Sequence, residues 1–333
     1  LNHKTDNIKL LVIDLFCGAG GVTTGFEQSG VAKVVICVNH DPQAIEAHKL
    51  NHPEAVHFVE DVRKVNIRNF LPIIDTWKVR YPNAKVLLWA SVECTNHSIA
   101  KGGLPKDADS RTLAVPLYPY IKILEPDYVG IENVKEFRDW SPLVPKIKYE
   151  GMTVKNEKSI YKIFESNEYA HLEGACCPLV NGLQPWLIPD PLRKGELFRR
   201  FINVIKSMGF NYADANLNAA DFGAFTNRLR YFGIFARHGL GIQLPRPTHG
   251  KGLIPHKAVR DVLQLDKIGN SIFHGRKKPH CDKTLTRILR GLEKFATPSY
   301  VMTCTSPGYM HSIEQPCGTL TTACHKALVT VKG

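Results

Sequence analysis

Five short apolar runs rich in β-branched residues recur through the first 131 positions: "IKLLVI" (8–13), "VVICV" (34–38), "VHFV" (56–59), "VLLWA" (86–90) and "YVGI" (128–131). Runs of this length and composition read as strands, and helical stretches separate several of them. One is "DPQAIEAHKLN", with Asp41 placed as the N-cap and Pro42 at the first helical position. The alternation predicts an α/β fold built on a doubly wound, mostly parallel sheet.

In such a sheet ligands bind beyond the carboxyl ends of the strands, so the residues after each run carry the functional information. After the first run comes "DLFCGAGG" (14–21), whose Gly18, Gly20 and Gly21 precede the helical stretch "VTTGFEQSG". Glycines there let the backbone turn tightly and approach a ligand at a helix N-terminus, although a plain turn would use them too. Asn39 follows the second run and Asp61 the third. A ribose hydroxyl and an adenine amino group would be met at those positions; helix capping and turn formation are the alternatives for each residue.

The stretch "LLWASVECTNHSIAKGG" (87–103) sets Cys94 just past the fourth run and follows it with Thr95, Asn96, His97 and Ser98. At the end of the fifth, "GIENVKEF" supplies Glu132 and Asn133. A buried cysteine is commonly a small hydrophobe, but a thiol and a carboxylic acid converging at one sheet edge can serve as nucleophile and proton donor. Nine cysteines scattered over 333 residues do not read as a disulfide framework and fit a reducing compartment. No apolar run approaches the roughly 20 residues of a membrane span, and "LNHKTDN" lacks the hydrophobic stretch of a signal peptide. A cytoplasmic protein without a membrane partner is the expectation. The formal net charge is +12, and from residue 251 onward thirteen Lys or Arg face five Asp or Glu, which points to a polyanion as partner.

Six ordered stretches resemble the cytosine C5 methyltransferases that use S-adenosylmethionine. "DLFCGAGG" is similar to that family's cofactor loop, Asp61 in "EDV" to its adenine-contacting acid, and Cys94 falls where its catalytic cysteine lies. "DSRTL" (109–113) resembles the motif after the mobile loop, and "ENV" (132–134) the glutamate motif. "LNAADFGAFTNRLRYFGIFAR" (217–237) resembles the strand pair carrying two arginines, here Arg228 and Arg230.

The resemblance implies a class I, Rossmann-like methyltransferase. Its cofactor, S-adenosylmethionine, would be held by Asp14, Phe16, Gly18, Gly20, Gly21, Asn39 and Asp61. It also implies a cytosine flipped out of double-stranded DNA, attacked at C6 by Cys94 while Glu132 serves N3, with Arg228 and Arg230 on the ring carbonyl and nearby backbone. Ser98 and Asn133 would belong to the substrate loop. A sequence-specific modification enzyme of a bacterial or phage-infected cell fits this pattern. A tRNA cytosine-5 methyltransferase, or a relative that binds cofactor and nucleic acid without turnover, are the alternatives.

Two stretches depart from the family. Val92, Glu93, Cys94 and Thr95 stand where it places proline before the cysteine and glutamine after, and Asn39 stands where an acid commonly binds the ribose. Cys317 in "QPCGTLTT" has the preceding proline, but no buried strand leads into it, so it is not expected to be the nucleophile. Cys304, His311, Cys317, Cys324 and His325 lack a close CxxC pair, and no metal is expected. The expected domains are a catalytic one over 1–246, with an insertion at about 138–190, and a smaller basic target-recognition region over 247–333. The family's last two motifs find no match after "ALVTVKG", so a missing C-terminal segment or a second chain is expected to complete the fold.

Overall fold

The computed structural model describes residues 7–92, 114–145, 187–267, 269–274, 277–295, 298–304, 309–320 and 326–331. The five apolar runs form β1 (Leu10–Leu15), β2 (Ala32–Asn39), β3 (Val56–Val59), β4 (Lys85–Ser91) and β5 (Tyr128–Asn133). Among them lie α1 (Gly21–Gln28), α2 (Pro42–Asn51), α3 (Leu71–Arg80) and α4 (Leu117–Leu124). A short antiparallel pair, β6 (Leu143–Pro145) and β7 (Leu187–Pro189), precedes α5 (Glu196–Ser207), β8 (Phe210–Asn218), β9 (Thr226–Asn227) and β10 (Leu229–Arg237).

The start of α2 follows from its first two residues. Pro42 fits the first helical turn, and the Asp41 carboxylate accepts from the Gln43 and Ala44 amides at 2.9 and 3.4 Å, a cap worth about 1 kcal/mol.

The principal sheet has seven strands in the order β3-β2-β1-β4-β5-β10-β8. Neighbours from β3 to β5 are parallel, and β10 runs antiparallel to β5. Both faces are covered, which is why the strands read as continuous apolar runs. Leu11, Ile13 and Leu15 of β1 pack with Val86, Leu88 and Ala90 of β4 on one face, while Val12, Leu87 and Trp89 enter the core of the other. Strand order reverses between β1 and β4: the chain runs outward from β1 to β3, then crosses to the far side of β1. The crevice beyond those two carboxyl ends is where such a sheet receives a ligand.

The chain forms two compact units, Leu1–Ala215 with Tyr231–Leu244, and Asn216–Arg230 with Pro245–Gly333. The stretch 216–230, expected in the first domain, falls in the second unit for a visible reason. β9 pairs in parallel with β13 (Cys317–Gly318), the Cys317 amide donates to the Phe225 carbonyl at 2.8 Å, and the Thr319 hydroxyl donates to the Asn227 carbonyl at 2.7 Å. The second unit also contains α6 (Asp282–Phe295) and a sheet ordered β12-β11-β14 from β11 (Ser299–Thr303), β12 (Met310–Ser312) and β14 (Lys326–Thr330). Ile288 and Gly291 of α6 are buried beside Tyr300 of β11, whose hydroxyl donates to the Ile288 carbonyl at 2.8 Å. Most of the expected insertion, residues 146–186, lies outside the described residues.

Gly130 of β5 stands in register with Trp89 of β4, and a Cβ there would overlap the indole ring. Gly130→Ala should therefore destabilise the protein by about 1–3 kcal/mol, read from urea unfolding. Trp89→Leu should cost less in the Gly130→Ala background than alone; equal costs in both backgrounds would show that this contact does not limit packing.

Candidate active site at the carboxyl edge of the sheet

β1 ends in a loop of unusual backbone. Phe16, Gly18 and Gly20 have φ of 60°, 52° and 99°, so three of five successive residues are left-handed, and one of them carries a side chain. Strain of that kind persists only where the surroundings impose it, and it is commonest at functional sites. The glycines serve different ends. A Cβ on Gly18 or Gly21 would meet no atom within 4 Å, so both present bare backbone to open space. A Cβ on Gly20 would lie 2.9 Å from the His52 ring and 3.1 Å from the His48 ring, so this glycine faces inward. Gly20 caps α1 without a side-chain bond, leaving the first amides of the helix available to a ligand.

Asp14 lies under the loop with its side chain turned inward, fully buried. Its Oδ2 accepts from the Thr23 hydroxyl at 2.9 Å, and its Oδ1 has no partner. Burial pushes the carboxyl up to about 7, against the opposing pull of the Thr23 bond. The Thr23 hydroxyl also meets His48 Nε2 at 3.0 Å, and His48 Nδ1 meets His57 Nε2 at 2.8 Å. Because the hydroxyl has one proton and gives it to Asp14, it accepts from His48, whose Nδ1 then accepts from His57. Burial first, then the neighbouring His57 and His52, lowers His48 to about 4. His52 bonds the Thr24 hydroxyl and Glu27, each at 2.9 Å.

At the next two strand ends both polar side chains make local bonds. Asn39 Oδ1 accepts from the Asp41 amide at 2.8 Å. Asp61 accepts from the Arg63 amide at 2.9 Å and from the Arg63 guanidinium at 2.6–3.1 Å; that side-chain bond holds its carboxyl at about 2. Both side chains sit at the expected strand ends, engaged with the chain two residues on.

Glu132 closes β5 half-buried, in register with Ser91 of β4 and Phe232 of β10. Asn133 is buried. Its Oδ1 accepts from the Val134 amide at 2.8 Å, and its Nδ2 donates to the Val92 carbonyl at 3.4 Å. The amide therefore ties the end of β5 to the chain that leads out of β4. Cys94 and Ser98, with Glu93, lie outside the described residues.

Arg228 and Arg230 belong to the second unit. The Arg228 amide donates to Asn218 Oδ1 at 2.9 Å, its side chain is exposed, and Arg230 Nη1 donates to the Leu229 carbonyl at 2.9 Å. Cys317 is buried with Val259, Val301 and Ile313 in a small core, a packing role. Thr23, His48, His52 and His57 were missed in the sequence. The only signal was the four-residue spacing of His48 and His52, which puts both on one helix face.

Residues 10–147 match the family described as C-5 cytosine-specific DNA methylase. Over that stretch the chain is similar to this family. The match takes in the glycine loop, Asn39, Asp61, Cys94 and Glu132, and ends before Arg228 and Arg230. The type II methyltransferase M.AgeI of Thalassovita gelatinovora is 32% identical over 126 residues, covering 37% of this chain and 27% of that protein. The type II methyltransferase M.AquIA of Picosynechococcus sp. is 25% identical over 268 residues, covering 76% and 87%. Among solved structures, the methyltransferase EhMeth of Entamoeba histolytica aligns with a TM-score of 0.46 and 14% identity, over 78% of this chain and 61% of that one.

Asp14 should leave a signature in the pH dependence of stability. Its folded carboxyl, at about 7, lies above the ordinary aspartate value of 3.8. The folded state thus holds a proton that the unfolded state has lost, and this residue makes stability fall as pH rises from about 4 through 7. Asp14→Asn, which cannot titrate, should gain on the order of 2 kcal/mol relative to the native protein between pH 5 and pH 8. Urea unfolding at the two pH values measures this; parallel changes in both proteins would refute a raised Asp14.

Proposed function

We propose that the chain transfers the methyl group of S-adenosylmethionine to C5 of a cytosine in double-stranded DNA. The tie between Asn133 and Val92 carries this reading, because it fixes the acid-bearing end of β5 beside the strand that leads to Cys94. The glycine loop suits the cofactor: bare backbone at Gly18 and Gly21 faces open space, and the first amides of α1 can take a negative group. Gly18, Gly21 and the ring of Phe16 would hold it, with Asn39 and Asp61 at the nucleoside end once Asp61 shares its carboxylate with the ligand. Asp14 serves from beneath as a positioning residue. When bound, the cofactor supplies an electrophilic methyl on sulfur.

The chain's own groups then act on the base. A cytosine stacked in a duplex does not expose C5 and C6, so it must swing out, at a cost of a few kcal/mol. Cys94 thiolate adds to C6 while Glu132 donates to N3, which turns C5 into a nucleophilic carbon. C5 takes the methyl; loss of its proton then expels the sulfur from C6 and restores the aromatic ring. Arg228 and Arg230 would bind the phosphate backbone. The exposed Lys283, Arg290 and Lys294 of α6 add sequence-independent attraction to phosphates, and binding should weaken with salt.

A duplex carrying 5-fluorocytosine at the target tests polymer, atom and covalency together. It should be methylated once and stay bonded to the protein through denaturation, because fluorine cannot leave as a cation. Cys94→Ser should abolish the adduct, and Glu132→Gln should reduce methyl transfer at least a hundredfold. Trapping by substituted tRNA and not by DNA would move the activity to RNA, and adenine methylation would sink the chemistry altogether.

A further inference from the structure

Beneath the glycine loop, Cys17, Cys37 and His48 converge. The two thiol sulfurs and an imidazole nitrogen lie within 4.8 Å of one another, and all three residues are buried. They come from three separate pieces of chain: the loop after β1, the middle of β2, and one face of α2. Both thiols are free, and the methyl-transfer chemistry proposed above uses none of the three. We propose that Cys17, Cys37 and His48 bind a zinc ion that fastens the glycine loop to β2 and α2.

The donor set argues for the metal. Two thiolates and an imidazole suit zinc, and not the hard oxygen-seeking cations calcium and magnesium. Zn–S bonds of about 2.3 Å and Zn–N bonds of about 2.0–2.1 Å put tetrahedral ligand atoms roughly 3.6–3.8 Å apart. The cluster therefore closes around the ion with shifts of about 1 Å. Thr23 Oγ1, 3.9 Å from Cys37 Sγ and 3.0 Å from His48 Nε2, is an oxygen placed to complete the four.

The surroundings supply the second requirement. A histidine that binds zinc through one nitrogen normally hands the other N–H to a hydrogen-bond partner, and His48 Nδ1 has His57 Nε2 at 2.8 Å. Zinc on Nε2 moves the His48 proton to Nδ1 and reverses its bond with His57, which is half-buried and can exchange protons with solvent. Both thiols lose their protons as the ion enters, so Zn²⁺ and two thiolates leave no net charge in the buried cluster. Without a metal the contact with Cys17, followed by burial, pushes the Cys37 thiol up; the ion reverses that by coordination.

Cobalt(II) uptake decides the matter. The 333-residue chain with Cys281→Ser and Cys304→Ser, which removes two exposed thiols, is reduced, freed of reductant under nitrogen and titrated with cobalt chloride. One equivalent should produce a sulfur-to-cobalt charge-transfer band and the visible bands of a tetrahedral site, and zinc chloride should erase both. Cys37→Ser should abolish the charge-transfer band or weaken cobalt binding at least tenfold. Should that variant not fold, His57→Gln, outside the coordinating set, should weaken binding about tenfold or more. Absence of thiolate bands in the folded, reduced protein would overturn the proposal. So would bands that persist undiminished in a folded Cys37→Ser, or a Cys17–Cys37 disulfide in a protein whose reduced form takes up no metal.

Discussion

The hydrogen bond from Thr23 to Asp14 spans the turn on which this sheet edge depends. One partner is the penultimate residue of β1 and the other lies in the first turn of α1, so the bond closes the strand–loop–helix corner from beneath. The corner is held further by the Cys17 amide on the Val38 carbonyl and the Gly20 amide on the Cys17 carbonyl, and within it Phe16 is the left-handed residue that carries a side chain. The same hydroxyl supports His48 of α2, which reaches His57 of β3, so three consecutive strand–helix units lean on one oxygen. The arrangement carries a cost: a carboxyl buried with one oxygen unpartnered is forced upward to about 7, where it titrates near neutrality.

The strands were legible in the sequence because a sheet covered on both faces needs uninterrupted apolar runs, and all five runs became parallel strands of the first unit. The α2 start was legible for a local reason, the cap and the proline being adjacent to what they control. Side-chain use was not. Asn39 and Asp61 stand at the strand ends where they were expected, yet each is bonded to the backbone two residues on, because the short polar groups that suit a ligand also suit a turn. Gly18 and Gly20 look alike in sequence, but one faces open space and the other makes room for two imidazoles brought close by α2. Contacts such as Thr23 with His48 link residues 25 positions apart, a separation at which no periodicity operates.

Asn133 shows how one buried amide can join two strand ends. Its two polar ends fix the local turn at Val134 and the neighbouring strand exit at Val92. Its neighbour Glu132 owes its place at the edge to two flanking strands, one parallel and one antiparallel. The end of β5 is thereby held on both sides.

The composition of the second unit from two stretches, Asn216–Arg230 and Pro245–Gly333, bears on how such a protein could be recombined. The chain passes between the units at three separate points, so the second is no simple tail that can be exchanged at one junction. A graft beginning at residue 245 would import β13 but keep the host's β9, joining a strand to a partner it did not evolve beside. Exchange of the second unit by recombination would need both stretches to travel together, or a host whose short strand already carries compatible carbonyls at the positions of Phe225 and Asn227.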